Sequence, residues 1–295
     1  MITSPFLQGR DRYERTMEGF VDNTHEDAFT HTVRLTDDDF AVELSAVCTP
    51  SPGYEVREAR ARALGGAVDP AIAPAFAALA SARMVGGFTR RLVEIAGRGA
   101  GAGLFVDAGI EIARLARQAA KLPSSATARF VAGDARQSWQ LDSTGWVDLP
   151  DSCFTYSAAG RALLDTRAVT TPMVRELYSP PPGALKVFHR RKLARLVRTG
   201  PRLDCFQSMH DNVHGFDVHY LIDLETGRIT AADSVTSRLP YRGICDEPQR
   251  KIDTLVGQPA DAGLRKRIQT DLGGTGGCAQ LYDLTADLLK LLSLP

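Results

Sequence analysis

The sequence predicts an α+β protein built as an internal duplication, and three observations carry that expectation. First, Asp22-Asn23-x-His25 recurs as Asp211-Asn212-x-His214, an offset of 189 (211 − 22). Second, Gly87-Phe88-Thr89-Arg90-Arg91-Leu92 corresponds to Gly263-Leu264-Arg265-Lys266-Arg267-Ile268 at an offset of 176 (263 − 87). That register continues without a gap through Gly97/Gly273, Gly101/Gly277, Phe105/Leu281, Asp107/Asp283 and Ile112/Leu288. Third, each copy passes from period-two to helical patterning in the same order.

The elements follow in turn. Phe216, Val218, Tyr220 and Ile222 alternate with polar residues as a half-buried strand does. Glu225-Thr226-Gly227 supplies turn chemistry before a second extended run from Arg228 to Val235, so a hairpin is expected. Pro248 suits the first turn of a helical segment ending at Gly257, and a basic segment, 263 to 272, ends at Gly273-Gly274. Leu281, Leu284, Leu288 and Leu291 form one apolar stripe, matched by Phe105, Ala108, Ile112 and Leu115. Asp107 and Asp283 are expected in the first turns of these helices, where the unpaired amides favour a carboxylate. The units are placed at 1–120 and 186–295, packed about a pseudo-twofold axis through their strands with helices outside. A connector, 121–185, joins them, and the Ala/Pro-rich run at 67–80 absorbs the difference between the two offsets.

Composition narrows the function. Lys plus Arg and Asp plus Glu are both 35, so no net field draws the chain to nucleic acid or an anionic membrane. Arg10 interrupts the start before any apolar run could serve as a signal peptide, and no stretch has the length of a membrane span; the expected location is the cytoplasm. Five scattered cysteines without a CxxC pair suit a reducing compartment and read as small buried residues. The glycine runs GRGAGAG and GGTGGC lack the GK[ST] ending of a phosphate loop and follow helices, so no nucleotide is implied. The basic runs FHRRKLARLVR and GLRKR are expected to be solvated faces.

Residues 186 to 292 resemble a bacterial family known only as a domain of unknown function, through FHRRK at 188–192, RLPYRGIC at 238–245 and GGTGGCAQL at 273–281. Members commonly have His where this chain has Gln280, and Gln280 cannot transfer a proton. The resemblance implies a link with bacterial breakdown of aromatic compounds, including lignin-derived ones, as analogy at family level.

Three of six histidines fall between His210 and His219. Packing of two units about a twofold would bring Asp22, His25, Asp211 and His214 to a shared cleft, with His214 and His25 as base and acid and the two aspartates orienting them. The same blocks could equally be structural turns. His219 is placed beside Asp217 on a cleft wall, and His31 is its approximate counterpart in the first unit. From the connector, Trp146, Phe154, Tyr156 and Tyr178 could line an aromatic pocket, with Tyr156 as a third catalytic group. Arg242, flanked by Arg238 and Tyr241, is the expected clamp for a substrate carboxylate or phenolate.

The function expected is therefore a cofactor-independent acid–base enzyme, a lyase acting on a small aromatic, phenolic molecule. A metal-dependent hydrolase or oxygenase would use the same His and Asp residues as ligands. A non-catalytic binding or scaffold protein would use the symmetry for assembly, and a homo-oligomer fits either case.

Overall fold

The computed structural model describes residues 2–295. Eight antiparallel strands form a single sheet: β1 (Arg12–Asp22), β2 (Phe29–Asp37), β3 (Ala41–Cys48), β4 (Val56–Gly65), β5 (Phe188–Thr199), β6 (Arg202–Asp211), β7 (Gly215–Asp223) and β8 (Arg228–Arg238). Their order is β4-β3-β2-β1-β5-β6-β7-β8, so two four-stranded meanders meet at their first strands. β1 and β5 pair from Arg12↔Val197 to Val21↔Phe188, fusing both meanders into one sheet. The expected hairpin is present as β7 and β8, but it is one of three turns in its meander.

Helices follow each meander. After β4 come the single turn α1 (Ile72–Ala75), α2 (Phe88–Ala96) and α3 (Ala102–Leu115). The connector folds as α4 (Ala135–Gly145) and α5 (Ala158–Thr166). After β8 come the single turn α6 (Asp246–Gln249), continued as a 3-10 helix to Leu255, then α7 (Leu264–Leu272) and α8 (Ala279–Leu289).

The strands explain where the helices pack. Alternate residues such as Tyr13, Met17 and Val21 on β1, and Val42, Leu44 and Ala46 on β3, are buried on one face. α3 lies across β1 to β3 there, and α8 lies on β6. The apolar stripes read from sequence are the buried ones: Phe105, Ala108, Ile112 and Leu115 on α3, and Leu281, Leu284 and Leu288 on α8. Two apolar cores result, one under each meander. The opposite face carries charge pairs, including Glu43 with Arg34 and Arg62. An antiparallel sheet tolerates such a wet face because its backbone groups are already paired.

Two expectations require correction. Asp107 and Asp283 sit in the second turns of their helices and act as ion-pair partners: Asp107 meets Arg15 and Lys290, and Asp283 meets Arg114. Arg114 also reaches Asp287 at 2.6 Å and Glu111, so a cluster of charges joins α3 to α8. The run FHRRKLARLVR is not a solvated face. It is the central strand β5, with Arg190 only 1% exposed and Lys192 held between Glu111 and Asp287. Its alternation was disguised because cations occupy two core-facing positions and are neutralised from neighbouring elements.

Candidate functional site

A cavity opens where the connector meets the second meander and its helices. α4 supplies Asp142 and the residue after it supplies Trp146, while the loop beyond brings Cys153, Thr155 and Tyr156. The β6–β7 turn brings Val213 and His214, and β7 brings Phe216. Leu239, Pro240, Tyr241 and Cys245 come from the segment after β8, and Gly277, Cys278, Ala279 and Gln280 from the start of α8. Parts of RLPYRGIC and GGTGGCAQL, the motifs that carried the family resemblance, thus face each other across one space.

His214 is fixed from behind. The β6–β7 turn folds Asp211 back so that its Oδ1 accepts from the amides of Val213 (2.8 Å) and His214 (2.6 Å). The same carboxylate meets the His214 ring at Nδ1, 3.1 Å from Oδ1. Its Oδ2 accepts from Arg190 Nε at 2.9 Å and pairs with Nη2 at 2.7 Å. Burial by itself would raise the Asp211 pKa, but His214 and Arg190 hold it well below the usual carboxylate range. An ionised carboxylate only accepts, so Nδ1 carries a proton, and in the neutral ring Nε2 is the acceptor. Phe216 stacks on the ring, its centroid 5.9 Å away.

The second polar centre is Asp142, 1% exposed on the buried side of α4. Its Oδ2 accepts from the phenols of Tyr156 (2.6 Å) and Tyr241 (2.5 Å), and its Oδ1 has no partner. Burial pushes the carboxyl up to about 6 against the lowering effect of the tyrosines. Burial also raises both phenols well above their ordinary range, so they remain donors at neutral pH. Asp142 therefore holds an exchangeable proton near neutrality, whereas Tyr156 commits its own to Asp142.

The three thiols at the cavity are protonated for the same reason. Burial pushes Cys153 up to about 11 and raises Cys245 and Cys278. Thr155 Oγ1 lies 2.9 Å from Cys245 Sγ. These cysteines pack and fill the wall, as small buried residues do.

Of the residues singled out in the sequence, His214, Tyr156 and Tyr241 line this cavity, with Asp211 immediately behind His214. The others do not. His25 is exposed and lines a different groove, with Lys121 and Pro180 to Pro182, so it does not share a cleft with His214. The reason is strand order: Asp22–His25 turns β1 into β2, whereas Asp211–His214 turns β6 into β7, which are not equivalent hairpins. Asp22 accepts from the amide of Lys186 at 2.7 Å and closes a loop. His31 is 1% exposed within the first core, its pKa pushed down to about 4 by burial. His219 lies on the wet face of the sheet, 2.9 Å from Asp204, while Asp217 pairs with His210. Arg242 is exposed and donates to the carbonyls of Thr236 and Ser237 at 3.3 Å. Arg238 donates to the Asp211 carbonyl, bracing the β6–β7 turn. The anion clamp expected at Arg242 and Arg238 is therefore absent from the cavity lining.

Among the described residues no three or more His, Cys, Asp and Glu side chains are grouped so as to hold a metal ion. The shared His/Asp ligand set of the metal alternative does not assemble, because His25 and His214 line separate spaces.

Sequence reasoning missed Asp142 and Arg190. The available signal for Asp142 was its position on one helical face with Ala135 and Ser138, where a buried carboxylate interrupts an otherwise small and apolar stripe. For Arg190 it was the period-two run Phe188, Arg190, Lys192, Ala194, Leu196.

Residues 198–292 match the model of a family described as "Protein of unknown function (DUF2889)". That span covers β6 to α8 and ends within three residues of the C-terminus. No curated protein and no solved structure matches the chain significantly. Among the described residues no helix is long and apolar enough to cross a membrane.

Proposed function

We propose that this protein is an enzyme that performs acid–base chemistry on a small aromatic molecule held in the cavity between the connector and the second meander. One observation carries the reading: a proton acceptor, His214 Nε2, and a buried carboxyl raised to about 6, Asp142, line one mostly apolar space. A pair of groups whose environments drive their proton affinities apart is the arrangement that general acid–base catalysis uses. His214 removes a hydroxyl proton of the substrate, and the adjacent carbon–carbon bond breaks as that C–O becomes a carbonyl. Asp142 protonates the carbon that leaves with the electron pair, while Asp211 and Arg190 hold the imidazole in place. The reaction class is a lyase. Trp146, Phe216, Tyr156 and Tyr241 give the walls aromatic character.

We also propose that the chain is an internal duplication whose paired elements keep an offset between 172 and 177. Adding 176 to β1, 12–22, gives 188–198 against the observed 188–199; for α2 it gives 264–272, the observed span of α7. The register needs no insertion at 67–80 and sets aside the DNxH match at 189. In this reading 1–120 is a scaffold copy, and 186–295 with the connector, 121–185, carries the site.

The test is a screen of phenolic compounds for conversion by mass spectrometry, with Asp142→Asn as the matched variant. Conversion by the wild type that falls at least about a hundredfold in Asp142→Asn, the size of a general-acid contribution, supports the proposal. Conversion unchanged in Asp142→Asn would remove Asp142 from the mechanism.

A further inference from the structure

Resting on the same cavity, we infer that its ligand is an uncharged aromatic bearing a hydroxyl group, and that aromatic carboxylates are turned away. Among the described residues Arg117 is the one Lys or Arg lining the space. Its charge is paired with Asp148, Nε to Oδ2 at 2.5 Å, and each Nη donates to a carbonyl, Nη1 to Ala113 at 2.8 Å and Nη2 to Met84 at 3.0 Å. Its guanidinium is also stacked 4.8 Å from the ring centroid of Tyr54. Arg190, on the far side of Asp211 from His214, is spent on that carboxylate.

The polar groups left for a ligand include no unpaired cation. His214 offers a lone pair at Nε2, and Asp142 keeps one carboxylate oxygen without a partner. The hydroxyl of Ser152 already donates to Leu149, and the Gln118 amide to Arg114. Gln280 makes no side-chain hydrogen bond and Trp146 Nε1 has no partner, so the free side-chain donors on the wall are neutral. A carboxylate entering this space at pH 7.5 would lose its water, meet Asp142, which is mostly ionised there with its pKa at about 6, and find only neutral donors in return. A hydroxyl would lose little, since it donates to His214 or Asp142. The apolar lining by Trp146, Leu149, Leu177, Val213 and Leu239 suits an aromatic ring between these poles.

The test is calorimetric titration with a matched pair of probes, 4-hydroxybenzyl alcohol and 4-hydroxybenzoate, at pH 7.5, against wild type and Gln280→Arg. Burying an unpaired charge costs enough that the alcohol should bind wild type about tenfold or more tightly than the acid. Gln280→Arg, which adds an unpaired cation to the wall, should narrow or reverse the preference. Equal or tighter binding of the acid to wild type overturns the inference, as does failure of both probes to bind at millimolar concentration. The outcome is separable from catalysis. Selective binding of the alcohol with no conversion of any phenol leaves the ligand class standing and removes the enzyme reading. Conversion of an aromatic acid removes the ligand class and leaves the enzyme.

Discussion

Arg190 and Asp211 form an ion pair across adjacent central strands, 2.7 Å apart, with both side chains almost wholly removed from solvent. Asp211 in turn holds His214 at Nδ1, so a charge pair in the core sets which nitrogen of a cavity histidine is free. Separating these roles is possible because each partner can be changed by one atom type.

Asp211→Asn keeps the shape and removes the charge. It leaves Arg190 buried without a counter-ion, and breaking such a pair costs about 3–5 kcal/mol. Urea unfolding at pH 7 should show that loss. A change below about 1 kcal/mol would mean that Arg190 finds another partner.

The pH dependence of this pair has a definite sign. The Asp211 pKa is depressed in the folded state, so its contribution is present above the unfolded carboxyl pKa of about 4 and is lost as pH falls toward the folded value. The urea midpoint of the wild type should therefore drop on acidification below about pH 4 more steeply than that of Asp211→Asn.

Asp142 has the opposite sign. Its pKa is raised to about 6, so the favourable contribution of its bound proton is present below about pH 4 and is lost as pH rises through 6. Asp142→Asn still accepts from Tyr156 and Tyr241 and removes the ionisation, so it should stabilise the protein by up to about 3 kcal/mol at pH 8 and not at pH 4. Thermal melts at both pH values check this. Equal shifts at both would contradict the assignment. A site residue whose replacement stabilises the fold has been kept for chemistry.

Arg114 joins α3 to α8 through Asp283 and Asp287. Arg114→Met removes a buried cation from among three carboxylates and should lower stability by about 3–5 kcal/mol. Pairing it with Asp287→Leu should recover part of the loss, a coupling that a double-mutant cycle reads directly.

How much was legible in the sequence depends on which force set the structure. The helical stripes at Phe105–Leu115 and Leu281–Leu288 were readable because burial alone positions them. Strand β5 was not, since Arg190 and Lys192 reverse the expected polarity and only the tertiary partners Asp211, Glu111 and Asp287 explain them. The α+β class followed from the period change along each half, while the merging of both halves into one sheet depended on β1–β5 pairing, which no local pattern encodes. At the site, His214, Asp211, Tyr156 and Tyr241 were visible as residue types beside turns. His25 was drawn in by a four-residue match that strand order does not honour, and Asp142 was passed over because its significance lies in two phenols distant in sequence.

The measurement that tests the central claim most directly is the turnover of a converted phenol by His214→Ala and His25→Ala side by side. The account predicts a fall of about a hundredfold or more in kcat for His214→Ala, the usual scale of a general base, with His25→Ala indistinguishable from wild type. Comparable losses in both, or full activity in His214→Ala, would contradict the placing of the site in this cavity.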